Sequence, residues 1–510
     1  MRGVWISLAV AGLAASIACG GGGGGGGGAV FDNTAASQGA ITRVGSAEVA
    51  GTLWNTTAVP AQVVFDETGV GAPADLAPGM LVRIQGQRGQ DPTTATANLV
   101  FAYDAVQGPV ESVTDIDADR AELVVVGRTV VALRDVTAFG GSAGFGFDTL
   151  APDDLVEVWG HLDDVGVVQA TRIEKYGDYA GGNPAVEITG PITNIQTSDP
   201  AGGTFDLNGL SVVYLDEDLI GVPGGEAGLD TTKWVGVKGT LIVLNDEIAT
   251  GEVHIRGPLT SDIIDFELEG IVSEFTDLAS PFRVAGQPVQ VALLSTFEPA
   301  SLGDAMDDRF LANGMKVEVG GALSGGTLTA DRLRFRDEEV FVAAQIAMGT
   351  DIDEDAGTVT LLRGITVVVD GNTRLEDQQG ANPFSLANLM SGDYLEVRGI
   401  DLDGQVLATS LVRKLAPGNI VVRGRVEGFE FIGPPEGQFT MLGLDLFVVP
   451  KESITTDAGT TFSEFPGGVA TETAFYNFLI ANPGALIQVT DSTGSAAEID
   501  VANQIEYEDE

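Results

Sequence analysis

Residues 392–411 read GDYLEVRGIDLDGQVLATSL. Leu395 and Val397 alternate with polar neighbours and run into Gly399; a period of two marks a strand with one buried and one solvated face. The pattern recurs as Val82 and Ile84, Val156 and Val158, Val235 and Val237, Val317 and Val319, and Ile487 and Val489. Glu157, Glu318 and Glu396 fall at the intervening position and are expected to point into solvent.

Glycines keep step with this strand. One closes it at Gly86, Gly160, Gly239, Gly321 and Gly399, and a hairpin glycine precedes it at Gly51, Gly127, Gly209, Gly286 and Gly364, which makes the separations 35, 33, 30, 35 and 35 residues. A sixth unit has Gly443 for the hairpin but Asp491 at the strand end, after an insert rich in Thr, Phe and Gly. Leading glycines stand at Gly108, Gly190, Gly270, Gly349 and Gly424. The repeat of roughly 75 to 90 residues exceeds that of open solenoids, so each copy is expected to close its own core. Five strands, with a loop or short helical turn between the third and fourth, fit a small OB-like barrel. The expected fold is therefore all-β: about six tandem barrels at 39–106, 107–178, 186–258, 266–338, 343–416 and 420–508, strung like beads over about 150 Å.

The N-terminus is of another kind. MRGVWISLAVAGLAASIAC carries Arg2 ahead of an apolar run from Val4 to Ala18, too short to span a bilayer that requires about 20 residues, and reads as an export signal over 1–18. Its end, Ser16-Ile17-Ala18-Cys19, resembles the lipobox of bacterial lipoproteins, although Ser16 stands where Leu is usual. The resemblance implies that Cys19 is acylated and becomes the mature start, and Gly20 in place of Asp implies sorting to the outer membrane. The alternative, a core cysteine, has no core to enter: Gly20 to Gly28 follow directly, and 19–38 reads as a flexible tether.

Composition removes several chemistries. The formal charge is −47, from 26 Lys+Arg against 73 Asp+Glu, which repels a phosphate backbone and excludes nucleic acid as a partner. One Cys and two His leave no thiol catalysis, disulfide framework or Cys/His zinc site. The match Gly140-Gly141-Ser142-Ala143-Gly144 has the form of a nucleophile elbow but continues into a glycine-rich loop instead of a helix. His161 and His254 are expected to be solvated. Asp351, Asp353 and Asp355 have the spacing of a calcium loop's first ligands, but Ala356 and Leu362 replace its Gly and Glu, so a solvated turn is expected there. The acids at 115, 117 and 119 and at 216–218 read the same way. Trp159 is either an exposed aromatic or a partly buried contact between domains.

The segment GAITRVGSAEVAGTLW at 39–54, the glycine run after Cys19, and Gly392–Gly399 followed by Ala408-Thr409 together resemble the bacterial family known as domain of unknown function 5666, found in tandem in secreted and lipid-anchored proteins. Copies three and six depart most, with Gly236 and Gln488 in place of the usual Glu. The resemblance implies an architecture and no activity. The expected function is a non-enzymatic lipoprotein of the bacterial cell envelope, attached to the membrane by lipid on Cys19 and acting as a multi-domain β scaffold or binding protein with an envelope protein or glycan as partner. The alternative is a receptor for an envelope glycan or a divalent cation such as Ca²⁺. No catalytic residue, cofactor or metal ligand is assigned.

Overall fold

Copy two shows how the pattern closes a barrel. Its first strand, Val106–Asp115, pairs antiparallel with the second, Arg120–Val125, which pairs with the third, Arg128–Leu133. The third runs parallel to the fifth, Val168–Asp178; the fifth pairs with the fourth, Asp154–Leu162, and the fourth returns to the first. The strand order 1-2-3-5-4-1 recurs in copies one, three and four, and in copy five with the first strand split into Val340–Gln345 and Ile352–Asp353. The computed structural model describes residues 34–507 apart from short loop segments, the longest being 116–119, 306–309, 347–351, 445–453 and 493–500. Residues 1–18, Cys19, the glycine run, Gly349, Asp351, Asp117 and Asp119 lie outside the described residues.

Each glycine class has a physical cause. Ala50-Gly51, Val126-Gly127, Ala285-Gly286 and Leu442-Gly443 place two successive residues at positive φ, the two-residue turn whose twist suits a hairpin. The fourth-strand glycines sit where that strand slips register against the fifth, a β-bulge. A Cβ there would collide with a backbone carbonyl across the ladder, from Thr96, Gln169, Ala249, Thr329 or Leu407. In copy six, where Asp491 replaces the glycine, the corresponding ladder ends at Thr490, one residue before that position. Leading glycines Gly108, Gly270 and Gly424 lie under the residue before the hairpin glycine, Val126, Ala285 and Leu442, which ties the two positions together.

The third strand is interrupted. It resumes as a short run parallel to the later half of the fifth strand, Ala138–Gly141 in copy two and Arg374–Asp377 in copy five. At the break a hydroxyl donates to the carbonyl of the alanine of the Ala-Thr signature or its equivalent: Thr137 to Ala170, Ser295 to Ala330, Thr373 to Ala408 and Thr460 to Ala502. The turn that follows is a 3₁₀ turn in copies one to five and, in copy six, a helix, Glu472–Ala481, capped by the Thr471 hydroxyl, which accepts the Ala474 N–H.

The bead-on-string expectation is overturned. Residues 33–510 form one compact unit: the leading half of each first strand extends past its own second strand and pairs with the first strand of another copy, which joins the copies two by two, and side-chain contacts such as His161 with Glu269 and Asn372 with Glu318 join the pairs. Ala35–Gln38 run parallel to Asp265–Leu268, joining copies one and four; Gln107 and Val106 pair with Glu187 and Ile188, joining two and three; Phe341–Ala343 pair with Val421–Arg423, joining five and six. Thr34–Gln38, placed in the tether by sequence, belong to this strand. Cores are shared accordingly: buried residues of copies two and three form one cluster, as do those of five and six. Ile400 and Leu407 of copy five join the core of copy four.

Gly399→Ala is expected to cost about 2 kcal/mol or more, because the bulge leaves no room for a methyl group. Gly251→Ala, on an exposed strand position where an added Cβ comes no nearer than 4.0 Å to another residue, the Lys238 carbonyl oxygen, is expected to stay within about 0.5 kcal/mol; denaturant or thermal melting compares them.

Candidate functional site

The densest chemistry lies where copies one, two, four and five meet. His161 comes from the fourth strand of copy two, and its Nε2 stands 2.8 Å from Oε1 of Glu269, on the first strand of copy four. Both side chains are buried, and Lys316 Nζ lies 3.5 Å from the same oxygen. Burial alone would raise the Glu269 carboxyl, but Lys316, His161 and Arg336 outweigh it and hold the group well below its ordinary range, at about 2. Nearby, buried Glu318 accepts from Arg336 at 3.0 Å and from Asn372 of copy five at 2.8 Å. Arg336 also reaches Asp370 at 3.4 Å.

These contacts correct two expectations. Glu318 does leave its own barrel, yet it meets a neighbouring copy instead of water, and His161 is equally buried. The alternation specifies which side of a strand a residue leaves from; what lies beyond depends on the packing of other copies. Glu396 pairs with Lys414, and Glu157 is half-buried. His254 is also partly buried, 3.3 Å from Glu252, with its pKa lowered by burial and then by Arg256. Trp159 is the interdomain contact, 2% exposed within the core of copy one.

The remaining candidates have structural partners. Ser142 donates to the Lys175 carbonyl at 3.1 Å, in a loop leading to the 3₁₀ turn Phe147–Thr149. The Asp353 carboxylate accepts the N–H groups of Asp355 and Ala356, as a turn residue does. Asp218 accepts from Leu215 N–H and the Thr250 hydroxyl, both at 2.8 Å. Among the described residues no three His, Cys, Asp or Glu side chains converge in a way that could hold a metal.

One arrangement was not visible in the sequence. A groove of about 560 Å³ opens between copies one, two and five. Phe139 meets Phe145 and Phe147 edge-on, with centroids 5.8 and 6.5 Å apart. Arg134 lies over Phe147 at 4.4 Å and grips Asp148 through two nitrogens, at 3.0 and 2.6 Å. From copy five, Arg374, which pairs with Glu376 at 2.7 Å, and Lys414 line the same groove. Held ion pairs next to ring edges and faces supply fixed donors and acceptors with little net charge; such a surface binds polar molecules that have apolar faces. Its residues come from separate copies, so no linear motif announces them. The only trace in the sequence is the phenylalanine pair in GFGF at 144–147.

The model of the family described as domain of unknown function 5666 matches residues 107–174, 269–334 and 350–411. The chain carries tandem copies of this domain. The matched segments lie within copies two, four and five. No curated protein matches the chain.

The junction carries opposed pH effects. Glu269 sits below the ordinary carboxyl value of 4.5, so the folded chain resists its protonation, and stability is expected to fall as pH drops from about 4.5 toward 2. Glu267 is raised to about 7 by burial, with Arg332 opposing and Glu318 adding to the rise. Its contribution is the reverse: stability declines as pH rises from about 4.5 to 7. Melting curves across pH are expected to lose the acid limb in Glu269→Gln and the neutral decline in Glu267→Gln. Glu269→Ala is expected to cost about 3–5 kcal/mol at pH 7, the penalty for leaving a buried partner unpaired.

Proposed function

We propose that the protein is a non-enzymatic lipoprotein of the bacterial cell envelope, anchored in the outer membrane through Cys19, whose packed barrels serve as a scaffold and binding surface. The observation that carries the reading is the position of the single thiol, between a short apolar run and nine successive glycines. Two acyl chains attach a protein stably to a bilayer, where one does not. The non-enzymatic part of this reading rests on the use of the buried polar groups: His161 with Glu269, Glu318 with Asn372 and Arg336 with Asp370 hold copies together.

A second reading is favoured by the groove. A neutral oligosaccharide has hydroxyls for the Arg134–Asp148 and Arg374–Glu376 pairs and C–H faces for the three phenylalanines, which would make the protein a glycan receptor.

Fractionation of cells is expected to place the wild-type chain in the outer membrane and Cys19→Ala in a soluble fraction, with mass spectrometry finding an acylated Cys19 at the mature start. An unmodified mature terminus contradicts the anchor. For the second reading, a glycan array probed with the protein is expected to yield a neutral oligosaccharide whose binding weakens at least tenfold in the Phe145→Ala/Phe147→Ala variant.

A further inference from the structure

A small cavity of about 50 Å³ lies where copies one, two, four and five meet. Three of its wall residues are more than nine-tenths buried and keep a polar atom without a hydrogen-bond partner among the described residues: Arg336 its Nε and Nη1, Ser410 its hydroxyl, and Asn372 its Oδ1. Their positions are fixed by neighbours. Arg336 Nη2 and Asn372 Nδ2 both donate to Oε2 of Glu318, at 3.0 and 2.8 Å, and Ser410 stands on the fifth strand of copy five in register with Arg374. Because a carboxylate only accepts, the Glu318 contact sets the orientation of the Asn372 amide and leaves Oδ1 as an acceptor. Buried polar atoms are rarely left unpaired, so four around one cavity call for a partner that enters it.

Charge and size select that partner. Lys316, Arg336 and Arg374 line the cavity against one carboxylate, Glu269, whereas the acids that pair with the two arginines, Glu318, Asp370 and Glu376, do not belong to its wall. Such a wall, in a chain of charge −47, favours an anion. A water-sized group requires about 10–15 Å³ of such space, so the cavity accommodates about four, the number of oxygens in a tetrahedral oxyanion. Val136, Thr171 and Lys316 are shared with a wider cleft of about 250 Å³ between copies two and four, which gives an ion a way in.

We infer that this cavity binds one hydrogenphosphate ion. Its oxygens accept from Arg336 of copy four and Ser410 of copy five, and its own hydroxyl donates to Asn372 Oδ1. Sulfate has the same shape but carries no hydroxyl at neutral pH, so it leaves Asn372 unpaired and binds less tightly. The ion bridges copies four and five, and a ligand bound only by the folded chain stabilises that chain.

The test is isothermal titration calorimetry of the Cys19→Ala chain at neutral pH with sodium phosphate, sodium sulfate and NaCl at matched ionic strength, with melting curves beside it. Expected are one phosphate per chain, weaker binding of sulfate, no saturable heat from chloride, and a melting temperature that rises with phosphate. Ser410→Ala is expected to bind phosphate about tenfold more weakly, with an unchanged melting temperature in phosphate-free buffer, since it loses only an unpartnered hydroxyl. Three results overturn the inference: no saturable phosphate binding up to about 10 mM, which assigns the cavity to water; sulfate bound at least as tightly as phosphate; or a Ser410→Ala chain that binds phosphate as wild type does.

Discussion

The structure depends on one unpaired strand edge. In each barrel the first strand is longer than the barrel it helps to close: its later half pairs with the second strand, and its leading half has one edge left over. An open edge presents unpaired backbone donors and acceptors to any passing strand. Here the edge is covered from within the chain, copy one by copy four, two by three and five by six. In the first of these pairs the side chains of the copy-one strand are small, Ala35, Ala36 and Ser37, and all three are buried.

Once the barrels are joined in this way, their outer faces are no longer surface. Carboxylates that alternation directs away from one core then enter a junction, where only paired charges are tolerable. Glu269 finds His161 and Lys316; Glu318 finds Arg336 and Asn372. These pairs connect residues from three copies and fix which copies meet. The interior of the assembly is accordingly held by specific polar contacts, while each barrel keeps an apolar interior of the ordinary kind.

How much of this was legible follows from what each signal encodes. Period-two alternation and the glycine spacing are local consequences of pleat, bulge and hairpin, so the barrel and its repetition could be read from Gly86, Gly127 or Leu395 and Val397 alone. What covers the outside of a barrel is set by residues hundreds of positions away, and neither His161 nor Glu318 carries any local mark of its partner. Trp159 looked ambiguous for the same reason: its packing belongs to copy one. The hydroxyl at the strand break was hidden in plain spacing, since Thr137, Ser295 and Thr373 each precede the carbonyl they bond by 33 to 35 residues. The groove sets Phe139, Phe145 and Phe147 of copy two beside residues of copies one and five, and only its GFGF segment at 144–147 leaves a trace in the sequence.

The claim that the repeats are joined in pairs through their first strands and packed together, and do not trail as separate beads, is tested most directly by small-angle X-ray scattering of the chain from Asn33 onward. A globular chain of this length has a radius of gyration of about 23 Å, and the account predicts a value within several ångströms of that. A rod of beads about 150 Å long would give a value above about 40 Å, and that result would contradict it.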